Sequence, residues 1–161
     1  MTTEHLNQFN ALLLQGIKLL HSLDTLMDQE LDAVARRDTA LLETTCMQKR
    51  TVLEEFQHNT FERAKILGFM QLENKESGVQ KLISQASEAA ATQLTDNWEQ
   101  LKKELHSASE KNRRNEQAVL RNKHNVDKLL SIIRGQKTQD SIYNTQGSAG
   151  HYRAQSRIGK A

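Results

Sequence analysis

LTDNWEQLKKELHSASEKNRRNEQAVLRNKHNVDKLLSII, residues 94–133, decides the fold. Its slots are Leu94, Trp98, Leu101, Leu105, Ala108, Asn112, Asn115, Val119, Asn122, Val126, Leu129 and Ile133, and the steps between them alternate four and three without an error. A sustained repeat of 3.5 residues keeps one stripe of a helix turned toward a neighbour, as in a coiled-coil seam. Three slots are asparagine. A buried Asn in a seam fixes register at a cost in stability, whereas a splayed bundle would leave the same Asn wet, and the sequence leaves both options open.

Working back toward the N-terminus, Leu6, Phe9, Leu13, Leu20, Leu23, Met27 and Val34 form a second amphipathic stripe, interrupted at Gly16 and Glu30. The pair Arg36-Arg37 suits a helix end, and Asp38 suits the cap of the next helix. That helix carries Leu42, Cys46, Lys49, Val52 or Leu53, Phe56, Ile66 and Leu67, with Gly68 placed to end it in the left-handed conformation. Ser77-Gly78-Val79-Gln80 has the spacing of a capping box before a short helix holding Val79, Leu82, Ile83, Ala86 and Ala90. The short helix does not share the phase of the long one, so a break is expected near Thr92–Thr95.

Composition agrees. The 161 residues include no proline and seven glycines, too few turn formers for a sandwich or an α/β fold. Aromatic residues are 4% of the chain, which suits a thin helical seam better than a thick globular core. The expectation is an all-α, elongated antiparallel helical bundle or coiled coil of three long helices plus a short one. The helices fall at about 4–37, 39–67, 78–91 and 94–134, giving a bundle over 1–134 and a flexible basic tail over 135–161. The tail is rich in Gln, Ser and Gly, yet holds both tyrosines, Tyr143 and Tyr152, with Ile142 and Ile158. Tyrosine is a favoured interface anchor, so the tail reads as a binding segment.

The charge is uneven. Residues 1–110 carry 11 Lys+Arg against 17 Asp+Glu, and residues 111–161 carry 11 against 3. Such polarity points to a partner surface on the basic part. Catalytic chemistry has no candidate: one cysteine, no phosphate-binding or nucleophile-elbow motif, and a single Glu-x-x-His at Glu55 and His58 where a di-iron bundle needs two. No enzyme, metal or cofactor is expected. His21 lacks the lysine and glycine that follow a phosphotransfer histidine. The lone Cys46 fits a reducing compartment, and the opening residues lack the charged start of a signal peptide. The longest apolar run, Ala11 to Leu14, is far short of a membrane span, so a cytoplasmic protein without stable membrane insertion is expected. The basic stretch from Lys111 through Arg134 could meet phosphates, but residues 99–142 hold no aromatic for base stacking.

The opening pair of leucine-rich helices with Asp38 at their corner, Gln48-Lys49-Arg50, and the ending in Asn115, Val119-Leu120, Leu129-Leu130 and Tyr143-x-x-x-Gly147 together resemble the FlgN family of flagellar type III export chaperones. The resemblance covers nearly the whole chain. It implies a cytoplasmic, nearly all-helical protein; apart from the resemblance, a monomer or weak homodimer is expected. Such a protein binds the terminal helices of hook–filament junction proteins and delivers them to the flagellar export gate and ATPase complex. Tyr143 is then the gate-contact candidate, and Val126, Leu129, Leu130, Ile132 and Ile133 the substrate-contact candidates. Two other classes stay open from the residues alone: a nucleic-acid-binding helical protein using the basic region, and a structural coiled coil that self-associates through the 94–133 seam.

Overall fold

The computed structural model describes residues 2–134, all of whose regular structure is helical: α1 (Thr2–Arg36), α2 (Thr39–Phe69), α3 (Glu76–Ser84) and α4 (Glu88–Ile133). The chain divides into two units, Met1–Asn122 and Lys123–Ala161, and the division falls inside α4.

In the first unit every expected slot of α1 is buried, from Leu6 to Val34 and including the two interruptions, Gly16 and Glu30. Arg37 adopts a positive φ of 58°, Asp38 N–H donates to Ala33 O and Arg37 N–H to Val34 O. These bonds close the helix by satisfying its last carbonyls. Asp38 then caps α2 by accepting from the Leu41 N–H at 2.9 Å, as its position in the sequence implies.

The α1–α2 turn sends α2 back along α1: Lys49 meets Glu30 near one end, and Asn59 meets Leu12 toward the other. Helix α4 runs in the same direction as α1. Asn97 binds Asn10, Lys111 binds Asp24 and Asp28, Arg114 binds Asp28, Asn115 binds Glu30 and Asn122 binds Val34. The bundle is therefore up-down-up. Leu6, Phe9, Leu13, Leu20 and Met27 of α1 make its core with Ile66 and Leu67 of α2, Val79 and Leu82 of α3, and Leu94 and Leu101 of α4.

Several local expectations are corrected. Gly68 lies inside α2, and the left-handed residue beyond the helix is Gln71, φ 57°, with Leu72 N–H donating to Leu67 O. The capping box at Ser77 does not form. Lys75 is the cap residue of α3 and supplies no side-chain bond, while Ser77 donates to the Glu73 carboxylate. The break after the short helix falls at 85–87 rather than at Thr92–Thr95, because α4 begins a turn and a half earlier with the alanines that follow Glu88.

Gly78 earns its place by contact rather than by dihedral: a Cβ there would stand 1.8 Å from the Glu73 carbonyl oxygen. Around Gly68 a Cβ would meet nothing within 4 Å. Gly78→Ala is expected to destabilise by about 1–3 kcal/mol through forced displacement of the preceding loop. Gly68→Ala, in a helix interior with free space, should stabilise by about 0.5–1 kcal/mol. Urea unfolding followed by circular dichroism reads both.

Candidate functional site

The two gaps in the α1 stripe are filled from the other helices. At Gly16 the missing side chain lets three helices close in: a Cβ there would lie 3.0 Å from Leu101 Cδ1 and 3.1 Å from Asn59 Oδ1. Asn59 is buried and donates to the Leu12 carbonyl at 2.9 Å, while its own oxygen accepts from Arg63 Nε at 3.1 Å. Arg63 also donates to Thr60 and lies over the Phe56 ring, and its burial lowers its affinity for the proton.

At Glu30 the gap holds a buried carboxylate shared by all three long helices. Lys49 Nζ of α2 reaches Glu30 Oε1 at 2.6 Å, and Asn115 Nδ2 of α4 donates to Glu30 Oε2 at 2.8 Å and also to the Met27 carbonyl. The Cys46 thiol donates weakly to Oε1 at 3.7 Å. Burial pushes the Glu30 carboxyl up, but the bonds from Asn115 and Lys49 outweigh it and hold the group below the ordinary carboxylate range. Burial, reinforced by the Glu30 charge, raises the Cys46 thiol, so this cysteine is a poor nucleophile.

Those contacts belong to a polar ladder along α4 and α1. Its partners stay between 83 and 88 residues apart in sequence, the signature of two parallel helices held in register. Hydrogen bonds from Lys111 and then Arg114 draw the Asp28 carboxyl below its usual range. Bonds to Asp24 and Asp28 raise Lys111. Two cations of the basic stretch are thus engaged by α1, which removes them from any phosphate-binding face.

The α4 seam is half of what its spacing suggests. Leu94, Leu101, Ala108 and Asn115, seven residues apart, are buried against the rest of the chain. The alternate slots Leu105, Asn112 and Val119 are exposed, and Trp98 is half-buried. The three seam asparagines accordingly divide. Asn115 is buried, Asn122 is half-buried with its amide donating to Val34 O at 3.1 Å, and Asn112 faces solvent. Because the buried row faces this chain's own helices, it is not available for self-association. Beside it, Lys49 of α2, Glu30 of α1 and Asn112, Glu116, Val119 and Leu120 of α4 line an open cavity of about 350 Å³. The spacing of α1 and α2 signals this cluster only as the interruption at Glu30 and the lysine slot at Lys49.

In the second unit, Val126, Leu129, Leu130, Ile132 and Ile133 are all exposed, from 40% at Leu130 to 80% at Ile133. At about 100° per residue they occupy roughly 160° of the helix circumference, one continuous apolar face. Five large aliphatic side chains in solvent on 8 successive residues, 126–133, are unusual for a surface helix. Tyr143 and the remainder of the tail lie outside the described residues. No described helix is long and apolar enough to cross a membrane. No group of three or more His, Cys, Asp or Glu side chains is arranged to hold a metal among the described residues.

A family model described as FlgN protein matches residues 1–151. No curated protein and no solved structure matches the chain.

Removing one member of a buried pair strands the others, so Glu30→Ala is expected to cost about 3–5 kcal/mol. Asp32→Ala, which breaks only the exposed pair with Arg36, should cost less than about 0.5 kcal/mol. The pH dependence has a definite sign. Because the folded-state value of Glu30 is depressed, its contribution is complete above 4.5, the ordinary value, and fades as pH falls through the lower folded value. Acid unfolding of Glu30→Gln should therefore begin from a lower stability and fall less steeply than that of the parent chain.

Proposed function

The chain belongs to the FlgN family of flagellar export chaperones, and from that premise we propose that it is a cytoplasmic chaperone for hook–filament junction proteins. It holds their terminal helices in an export-competent state and hands them to the export gate and its ATPase complex. The observation that carries the proposal is the exposed apolar face Val126–Ile133. Terminal helices that pack only in the assembled filament expose their own apolar stripe beforehand, and a second amphipathic helix offers that stripe a dry partner. Binding then removes apolar area from water on both sides, at about 25 cal/mol per Å² before the cost of ordering is subtracted.

The two units divide the labour. In the first, burial and the Glu30 layer keep the three long helices folded without a client. In the second, Val126, Leu129, Leu130, Ile132 and Ile133 make the client contact, and Tyr143 in the tail makes the contact with the gate. The protein works as a monomer or weak homodimer, since the buried row of α4 is already occupied by its own chain.

Leu129→Asp or Ile133→Asp is expected to abolish capture of the junction-protein terminal segments, by about a hundredfold or more for a charge placed in a helix-in-groove contact. Helicity should be unchanged, because neither side chain is buried in the free chain. Co-purification from a flagellated host and peptide titration read the effect; undiminished capture would overturn the site. Tyr143→Ala is expected to leave capture intact and reduce secretion of the junction proteins. Loss of capture in this variant would place Tyr143 in the client site instead.

A further inference from the structure

Apolar faces are sticky but not selective, and the one on α4 has charged borders. At about 100° per residue, Lys123, Arg134 and Asp127 fall within about 40° of one another on the border beside Leu130, two cations to one carboxylate. Lys128 falls on the opposite border, next to Ile132 and Leu129. All three cations are exposed. None takes part in an ion pair among the described residues, and Asp127 is the only acidic residue of 123–134.

In the first unit most α4 cations are paired. Lys102 is paired with Glu76 and Glu99, Lys111 with Asp24 and Asp28, Arg113 with Glu110, and Arg114 with Asp28. Four of the six cations on α4 in the first unit are thus paired, Lys103 and Arg121 being the exceptions, whereas among the described residues none of the three beside the exposed apolar face is. Lysine and arginine stems also lie along apolar surface while the charge stays in water, so these borders extend the sticky face without closing it.

We infer that the partner of this face is an amphipathic helix of defined charge: an apolar stripe at i, i+3, i+4 and i+7, bordered on both sides by Asp or Glu. This rests on the client-binding proposal above and names the chemistry of the client. Acidic borders on the incoming helix would meet Lys123 and Arg134, offset in part by Asp127, on one side and Lys128 alone on the other. A basic-bordered helix of equal hydrophobicity would meet net like charge on both. Complementary charges at a rim act mainly on choice of partner and on the rate of encounter, and only modestly on total affinity. The apolar face therefore supplies the binding and the cations supply the choice.

The test uses the full chain and two synthetic helical peptides with the same leucine stripe, one bordered by Glu and one by Lys, titrated at low and moderate salt. The Glu-bordered peptide is expected to bind about tenfold tighter at low salt, with the preference shrinking as salt screens the rim. The triple variant Lys123→Glu, Lys128→Glu, Arg134→Glu should reverse the preference, and Leu129→Asp should abolish binding of both peptides. Equal binding of the two peptides, both lost in Leu129→Asp, would overturn the charge rule while leaving the client face standing. If neither peptide binds, or Leu129→Asp leaves binding unchanged, the client face itself fails and the charge rule with it. Co-sedimentation with phosphatidylglycerol-containing vesicles, abolished by the triple variant, in a chain that ignores both peptides would assign the cations to a lipid surface and overturn the inference.

Discussion

The structure hangs on one shared carboxylate. Glu30 sits where the α1 stripe requires an apolar residue, and it is buried because two donors from two other helices reach it: Lys49 of α2 at 2.6 Å and Asn115 of α4 at 2.8 Å. Buried ionic groups add little net stability compared with well-packed hydrocarbon, but leaving any one of them alone is costly. An arrangement that satisfies all three groups at once is therefore separated by a gap from arrangements that satisfy two. Leucine stripes can slide by a heptad at small cost, and a three-way polar contact cannot. In a bundle with 4% aromatic residues and little shape variety in its core, such a contact fixes the register of α4 on α1.

Register also sets where the ladder ends. With Asn115 at Glu30 and Asn122 at Val34, the last rungs of the ladder fall close to the end of α1 at Arg36. The apolar residues from Val126 onward are exposed. Each apolar residue that leaves its face uncovered costs stability of the free chain, and it lowers the cost of binding, because no internal contact need be broken before a partner enters. The proposed client binding would need that compromise: a fold that survives without its client and a surface that does not hide.

Much of this was legible in the residues. The all-helical class, the first stripe with both interruptions and the cap at Asp38 follow directly from spacing, because apolar periodicity and a short side-chain acceptor have local causes. What spacing could not convey was which half of the α4 grid would be buried. A 3-4 repeat defines a stripe, and burial of Leu101 with exposure of Leu105 depends on what the other helices place opposite each slot, a tertiary property. Asn59, Arg63 and Thr45 escaped notice because polar residues are counted as solvent-facing. They are buried here by bonds to backbone carbonyls and to each other. The asparagines showed the limit most clearly: identical letters on identical slots at 112, 115 and 122 have three different environments, set by what lies opposite. The end of α2 was misplaced for a related reason, since Gln71 takes the left-handed conformation in spite of its side chain while Gly68 continues the helix.

The most direct measurement is amide hydrogen exchange along α4, residue by residue, in the free chain and with a saturating junction-protein terminal segment. In the free chain, amides from Leu94 to Asn122 should be strongly protected and those from Lys123 to Ile133 should exchange fast, because the former stretch holds the buried row and the large apolar residues of the latter are exposed. The segment should then slow exchange across Lys123–Ile133 and leave the Glu30 layer as it was. Protection appearing instead beside the cavity at Val119 and Leu120, with Lys123–Ile133 still exchanging fast, would contradict the account and move the client to the groove between α2 and α4.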